Sequence, residues 1–325
     1  MPQQSMNYAL GRIGVMRRTA MKPSQLERLM TTHTYEEATR TLADIGFAAS
    51  EEKDYQTVAD EHVLAACRLV HEVTPQPEVT DCFQYRYDVH NLKVLLKSRY
   101  LAQKPEYLSG CGTLNVDMLR HAVLDHNYRA LPPILQETME KLEKALAAKF
   151  DPMSIDVALD KAMYRMILEQ LEKSKATVAK QYFVSKIDLQ NAVMLLRVRA
   201  MKKSCAFFDD VLIPGGSIDK EKLDKAYDEP ERLPKLYAAY GPKVQQAIAS
   251  SAENAGKLPL LEKEADDYLY RLMLPYRYQG KTVEPLIAYL LQRQREATDV
   301  RLVMAGKING FSEEAVAERV RDIHG

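Results

Sequence analysis

The chain has 325 residues, enough for two or three ordinary domains or for one array of smaller units. Its 45 basic and 45 acidic side chains cancel, which argues against broad nucleic-acid binding, a mode that needs excess positive charge to displace counterions. Tryptophan is absent, glycine is scarce at 13, and strong helix formers dominate, so the composition predicts an all-α fold.

The opening MPQQSMNYALGRIGVMRR lacks the unbroken apolar run of a secretory leader, and nowhere do 18 apolar residues follow one another, so no bilayer span is expected. Ser24 and Glu27 form an S-x-x-E capping box that opens a helix through about Met30. Thr74-Pro75-Gln76-Pro77 is a linker. Leu131-Pro132-Pro133 introduces a periodic stretch from Ile134 to Phe150, with proline suited to a first helical turn.

Between Pro152 and Pro214 there is neither proline nor glycine, which predicts two long helices joined by the polar turn Lys173–Thr177. The second runs to about Lys203. Asp228–Pro234 is a second linker, and Asp266–Leu274 is helical. Cys67, Cys82, Cys111 and Cys205 are scattered without a CxxC pair, so reduced thiols are expected.

Two segments about a hundred residues apart share one pattern, D-x-x-N-x-x-x-L-L-[KR]-x-R, at Asp88–Arg99 and at Asp188–Arg199. A six-position match of this kind arises by chance about once in a hundred chains of this length. Each copy is followed by a glycine turn and a short helix, Gly112-Thr113-Leu114-Asn115 in the first and Gly216-Ser217-Ile218-Asp219 in the second. A weaker third copy begins at Glu296-Ala-Thr-Asp299-Val-Arg301, and the N-terminus echoes the unit around Asn7–Arg12 and Leu29–Tyr35. Three helical units are therefore expected, spanning 1–79 with 285–325, 80–180 and 181–284, with both termini in the first.

On a helix the spacing puts Asp88, Asn91 and Leu95 on one stripe with Arg99, and Asp188, Asn191 and Leu195 on another with Arg199. These residues are assigned to packing within the repeats. The acidic start and basic end of each stripe suit the helix dipole, on the order of 0.3–1 kcal/mol apiece. The recurrent Arg99, Arg199 and Arg301 are the candidates for contact with a partner.

Catalytic signals are poor. Gly280-Lys281-Thr282 has the tail of a phosphate-binding loop, but Pro275 stands where the first glycine belongs and a helix, not a strand, precedes it. Ser217-Ile-Asp-Lys220 fits S-x-x-K without its companion motifs, and Ser217 is explained as a turn residue. His121 and His126 are five apart and diverge around a helix, while Asp209-Asp210 and Asp266-Asp267 are expected on solvated faces. No catalytic, cofactor or metal residue is assigned.

The paired helices, the Pro214-Gly215-Gly216-Ser217-Ile218 turn and the ending Tyr289-Leu-Leu…Glu296…Arg301…Gly306-Lys307 together resemble the family of C subunits of bacterial and archaeal V/A-type ATPases, whose eukaryotic members are the d subunits. The resemblance covers most of the chain, in the right order. It implies an all-helical funnel or socket of three pseudo-threefold-related units, without catalysis of its own. It further implies a central-stalk role, coupling the D- and F-type axle subunits to the membrane rotor ring on the cytoplasmic face, in H⁺ or Na⁺ transport. Two other readings stay open on sequence: an unrelated helical-repeat scaffold, and a nucleotide-binding enzyme using Gly280-Lys281-Thr282.

Overall fold

In the computed structural model, which describes residues 5–49 and 53–323, no strand occurs among the described residues. Met1–Gln4 of the opening stretch lie outside them. The helices run in chain order as α1 Met6–Arg17, α2 Pro23–Met30, α3 Tyr35–Asp44 and α4 Tyr55–Val73, then α5 Pro77–Thr80, α6 Tyr85–Tyr100 and α7 Val116–Leu124. They continue with α8 Pro133–Ala148, α9 Pro152–Lys173, α10 Thr177–Ala200 and α11 Cys205–Val211. The last are α12 Lys220–Asp228, α13 Leu233–Leu236, α14 Pro242–Glu253, α15 Leu258–Met273, α16 Glu284–Asn309 and α17 Glu313–Ala317.

Two compact units result, one from Met1–Gln76 with Lys220–Gly325 and one from Pro77–Asp219. In the second, α9 packs against α6, α8 and α10 and buries Ile155, Leu159, Ile167 and Leu171. In the first, α16 lies against α4, α1, α15 and α3, while α14 packs on α15. Full burial of each leucine or isoleucine stabilises by about 1.5–3 kcal/mol, so these apolar stripes fix the helix pairings.

Local chemistry sets the helix ends. Asp151, Asn115, Asp54 and Thr34 each accept a backbone N–H in the first turn of the helix they precede. The polar turn after α9 closes at Lys175, whose φ of 55° is left-handed, with the Ala176 N–H returning to the Leu171 carbonyl. α6, α10 and α16 all stop the same way. Ala102, Lys202 and Gly310 are left-handed, and the next residue's N–H bonds five residues back, Gln103 to Ser98, Lys203 to Val198 and Phe311 to Gly306.

Three expectations need correction. α2 begins at Pro23, earlier than the Ser24 cap, because proline is already shaped for the first turn; its neighbour Lys22 donates its N–H to the Gln25 side chain at 2.8 Å. Asp228–Pro234 is no extended linker, since Pro230–Arg232 is a 3-10 turn running into α13. Asp267 is not on a solvated face: it is 2% exposed and paired with Arg295 and Lys263. Its neighbour Asp266 stays half-exposed, as adjacent helix positions diverge.

Candidate functional site

The recurring aspartates are buried, not surface partners of the helix dipole. Asp88 accepts from the Thr113 N–H at 3.0 Å, the Thr113 hydroxyl at 2.8 Å and the Leu114 N–H at 2.9 Å. Asp188 repeats the pattern with the Ser217 N–H at 3.0 Å, its hydroxyl at 2.5 Å and the Ile218 N–H at 3.2 Å. Each carboxylate thus ties a long helix to the glycine turn that follows it. The glycines are needed because the carboxylate sits where a side chain would begin: a Cβ on Gly112 would lie 2.1 Å from Asp88, and one on Gly216 would lie 2.2 Å from Asp188. Burial pushes the Asp88 carboxyl up, against the pull of its three donors.

The asparagines work in both directions. Asn91 donates to the Ser109 carbonyl at 2.9 Å and accepts the Ser109 N–H at 2.7 Å. Asn191 does the same with Ile213, at 2.8 and 3.0 Å. Leu95 and Leu195 are buried beside them.

α16 carries a third set, split between the chain ends. Glu296 accepts the Met21 N–H at 3.0 Å, as Asp88 and Asp188 accept Leu114 and Ile218. Asp299 accepts the Arg321 N–H at 2.9 Å, 22 positions on, the same interval that separates Asn191 from Ile213. The C-terminal segment therefore supplies the loop of the third copy, and α2 supplies its short helix. The sequence places both termini in this unit and marks Glu296–Arg301 as its weak copy, but it puts the N-terminal echo at Asn7–Arg12 and Leu29–Tyr35 and misses Met21, 275 positions from Glu296. The E-x-x-D spacing of Glu296 and Asp299, matching D-x-x-N, was the available signal.

This register also places the basic residues. Arg99 donates to the Val123 carbonyl near the end of α7, and Lys307 donates to the Met30 carbonyl at the end of α2. Lys307 follows Glu296 by the same eleven positions that separate Arg99 from Asp88. Arg301 instead shares the register of Lys93: Lys93 pairs with Asp160 of α9 at 2.6 Å, and Arg301 pairs with Asp60 of α4. Arg99 also meets Glu143 and Tyr128. Arg199, with Arg197, lies in the last turn of α10.

A groove of about 520 Å³ opens in the Pro77–Asp219 unit, lined by Met153, Val157, Met194, Met201 and Phe207 with Asp156 and Asp160 at its edge. Those two aspartates are held by Lys97 and Lys93. Gly280-Lys281-Thr282 lies in the loop before α16, after helical residues through Tyr276, with Lys281 at φ 80°. A phosphate loop instead joins a buried strand to a helix.

The model of the family described as "ATP synthase (C/AC39) subunit" matches residues 9–319. The chain is 26% identical over 280 residues to the C subunit of the V-type sodium ATPase of Enterococcus hirae, covering 84% of each. It is 23% identical over 328 residues to the C subunit of the A-type ATP synthase of Thermococcus gammatolerans, covering 96% of this chain and 88% of that one. The C subunit of the Methanosarcina mazei A-type ATP synthase is 25% identical over 255 residues, 72% of this chain and 67% of that one.

Proposed function

The chain belongs to the ATP synthase (C/AC39) subunit family, and from that premise we propose that it is the socket of a rotary motor's central stalk, receiving the axle and seating on the membrane rotor ring. It is a non-catalytic part of a V/A-type rotary ATPase. Its work is mechanical: torque passes through packed helices in either direction between the D- and F-type axle subunits and the ring. Three units, spanning 80–180, 181–284 and 1–79 with 285–325, surround a pseudo-threefold axis as a funnel.

One observation carries this reading. The same buried anchor recurs on α6, α10 and α16, each time tying a long helix to the turn before a short one. A carboxylate fixed by backbone N–H groups holds its helix stiffly against the neighbouring turn, as a torque-bearing part requires. No helix among the described residues is long and apolar enough to cross a membrane; attachment to the membrane's cytoplasmic face through the ring is part of the proposal.

Arg99, Arg199 and Arg301 contribute to the axle or ring contacts. The test mixes the purified chain with a V-type axle and rotor ring. Bridging of the two is expected, and failure to bridge them overturns the socket reading. Charge reversal at Arg199 should weaken bridging; at Arg99 and Arg301, which pair with Glu143 and Asp60, the same result counts only where the urea midpoint is unchanged, and unchanged assembly would remove them from the interface.

A further inference from the structure

The third anchor replaces Asp88 and Asp188 by Glu296, which keeps the carboxylate, but where α6 and α10 carry Asn91 and Asn191 it carries Asp299, which changes the chemistry. An asparagine amide can accept the loop N–H and donate to the loop carbonyl at once, and both asparagines do so. An ionised carboxylate only accepts. Asp299 is fully buried; its Oδ1 takes the Arg321 N–H, while its Oδ2 is buried and has no hydrogen-bond partner. A buried anionic oxygen without a donor is costly, whereas a protonated carboxyl has the shape of the asparagine amide and offers an O–H where the amide offers an N–H.

We propose that Asp299 is the protonated, asparagine-like member of the set, its Oδ2 hydroxyl donating to the Arg321 carbonyl, so that a single proton clamps the C-terminal strap of residues 319–323.

The surrounding charges agree. Arg295, one turn earlier on α16, is committed to Asp267 of α15, which also holds Lys263 at 2.8 Å and accepts the Asp322 N–H at 3.1 Å. The Arg321 guanidinium is committed to Asp266 of α15 at 3.1 Å. From α4, Asp60 and His62 pair with Arg301 and Glu296, and from α1, Arg17 donates to the Pro285 carbonyl. The residues that α3 and α17 bury are Ala38, Thr41, Leu42 and Val316, none of them charged. Each nearby cation has another carboxylate or carbonyl; Arg295 also keeps a buried Nε without a hydrogen-bond partner, and its charge acts on Asp299 without a hydrogen bond between them. Burial pushes the Asp299 carboxyl up to about 7, and the Arg321 N–H with the two guanidinium groups offsets that only in part.

The strap has something to close. Ile323 is buried in the cluster that holds Met21, Leu26, Leu29 and Val316, so the clamp seals the C-terminal segment over α2. The sign follows from linkage. The closed strap holds a proton up to about pH 7, whereas an exposed aspartate releases it near 3.8. Stabilisation by the clamp is complete in acid, is lost as the pH rises to about 7, and is constant above that, where both forms are ionised.

Hydrogen–deuterium exchange of the full chain, corrected for intrinsic exchange, reads the clamp at the Arg321 and Asp322 amides. Protection should fall by up to about tenfold per pH unit from about pH 5 to about pH 7 and then level off. Asp299→Asn, which supplies the donor at every pH, should keep the strap protected with no such dependence. Infrared difference spectra at about pH 6 should show a protonated carboxyl that Asp299→Asn removes. A pH-independent strap in the native chain, loss of protection in Asp299→Asn, or an ionised Asp299 at that pH would each overturn the proposal.

Discussion

Met21 donates its backbone N–H to the Glu296 carboxylate at 3.0 Å, across 275 positions of chain. With the bond from Arg321 to Asp299, it makes the two ends of the polypeptide complete the third copy of a structure that α6 and α10 each complete locally. The copies share a backbone plan, but they differ in charge, in helix-end residues and in sequence distance. Those differences make the following outcomes testable.

Gly216→Ala places a methyl group 2.2 Å from the Asp188 carboxylate, well inside contact distance. The carboxylate is buried and holds two backbone N–H groups, so it cannot swing away without leaving them unpaired. A loss of about 2–4 kcal/mol is expected, read as a lowered midpoint in urea. Gly14→Ala, inside α1 and with nothing within 4 Å of the added methyl, should by contrast stabilise by about 0.5–1 kcal/mol.

Ala102 and Lys202 end α6 and α10 with φ of 50° and 54°, where Gly310 ends α16. The left-handed conformation costs a non-glycine residue about 1–2 kcal/mol, and glycine's greater freedom in the unfolded chain returns part of that. Ala102→Gly should therefore stabilise by about 0.5–1 kcal/mol in thermal melts. A destabilised variant would show that the helix end owes more to its side chain than to its backbone.

The helices, the break at Lys173–Thr177 and the paired anchors were legible because they rest on local signals: propensity, proline and glycine placement, and a spacing repeated in sequence. The role of Asp88 and Asp188 was not. A helical stripe shows which residues share a face, but not that the turn 25 or more residues later brings its N–H groups to that face. Asp267 was misread for the same reason, since its partner Arg295 lies on another helix. The register of Arg301 was hidden because the basic residue eleven positions after Glu296 is a lysine, Lys307, in a stretch that keeps no Leu-Leu pair.

Glu143 offers a pH test. Burial raises its carboxyl, but hydrogen bonds from Arg99 and Tyr128 outweigh that and hold it below the usual 4.5. A depressed carboxyl stabilises the fold above its unfolded value, and the contribution is lost as the pH falls through the folded value. Glu143→Gln should thus be less stable than the native chain at neutral pH, by about 1–3 kcal/mol. The gap should close as the pH drops below about 4.5, and urea titrations across that range check it. A gap that stays constant into acid would mean that the charge is not what Arg99 responds to.

Glu296→Gln separates charge from hydrogen bonding. Glu296 is fully buried and meets three donors: the Met21 N–H, His62 Nε2 at 2.9 Å and Arg293 Nη1 at 2.9 Å. Glutamine keeps an oxygen for Met21 but leaves the buried Arg293 guanidinium without its anion. Arg293 cannot turn to solvent easily, because it also donates to the Met16 and Thr19 carbonyls and anchors the end of α1. Breaking one side of a buried ion pair costs about 3–5 kcal/mol. Asp88→Asn occupies the same place in its own copy, yet the donors to Asp88 are the neutral groups of Thr113 and Leu114, so the loss there is one buried N–H left facing the amide NH2, about 1–3 kcal/mol, with no stranded charge. Urea unfolding of the two variants decides the matter. The larger loss at Glu296, with increased exchange at the Met21 amide, is the expected result; equal losses would mean that the third anchor is held by its hydrogen bonds alone.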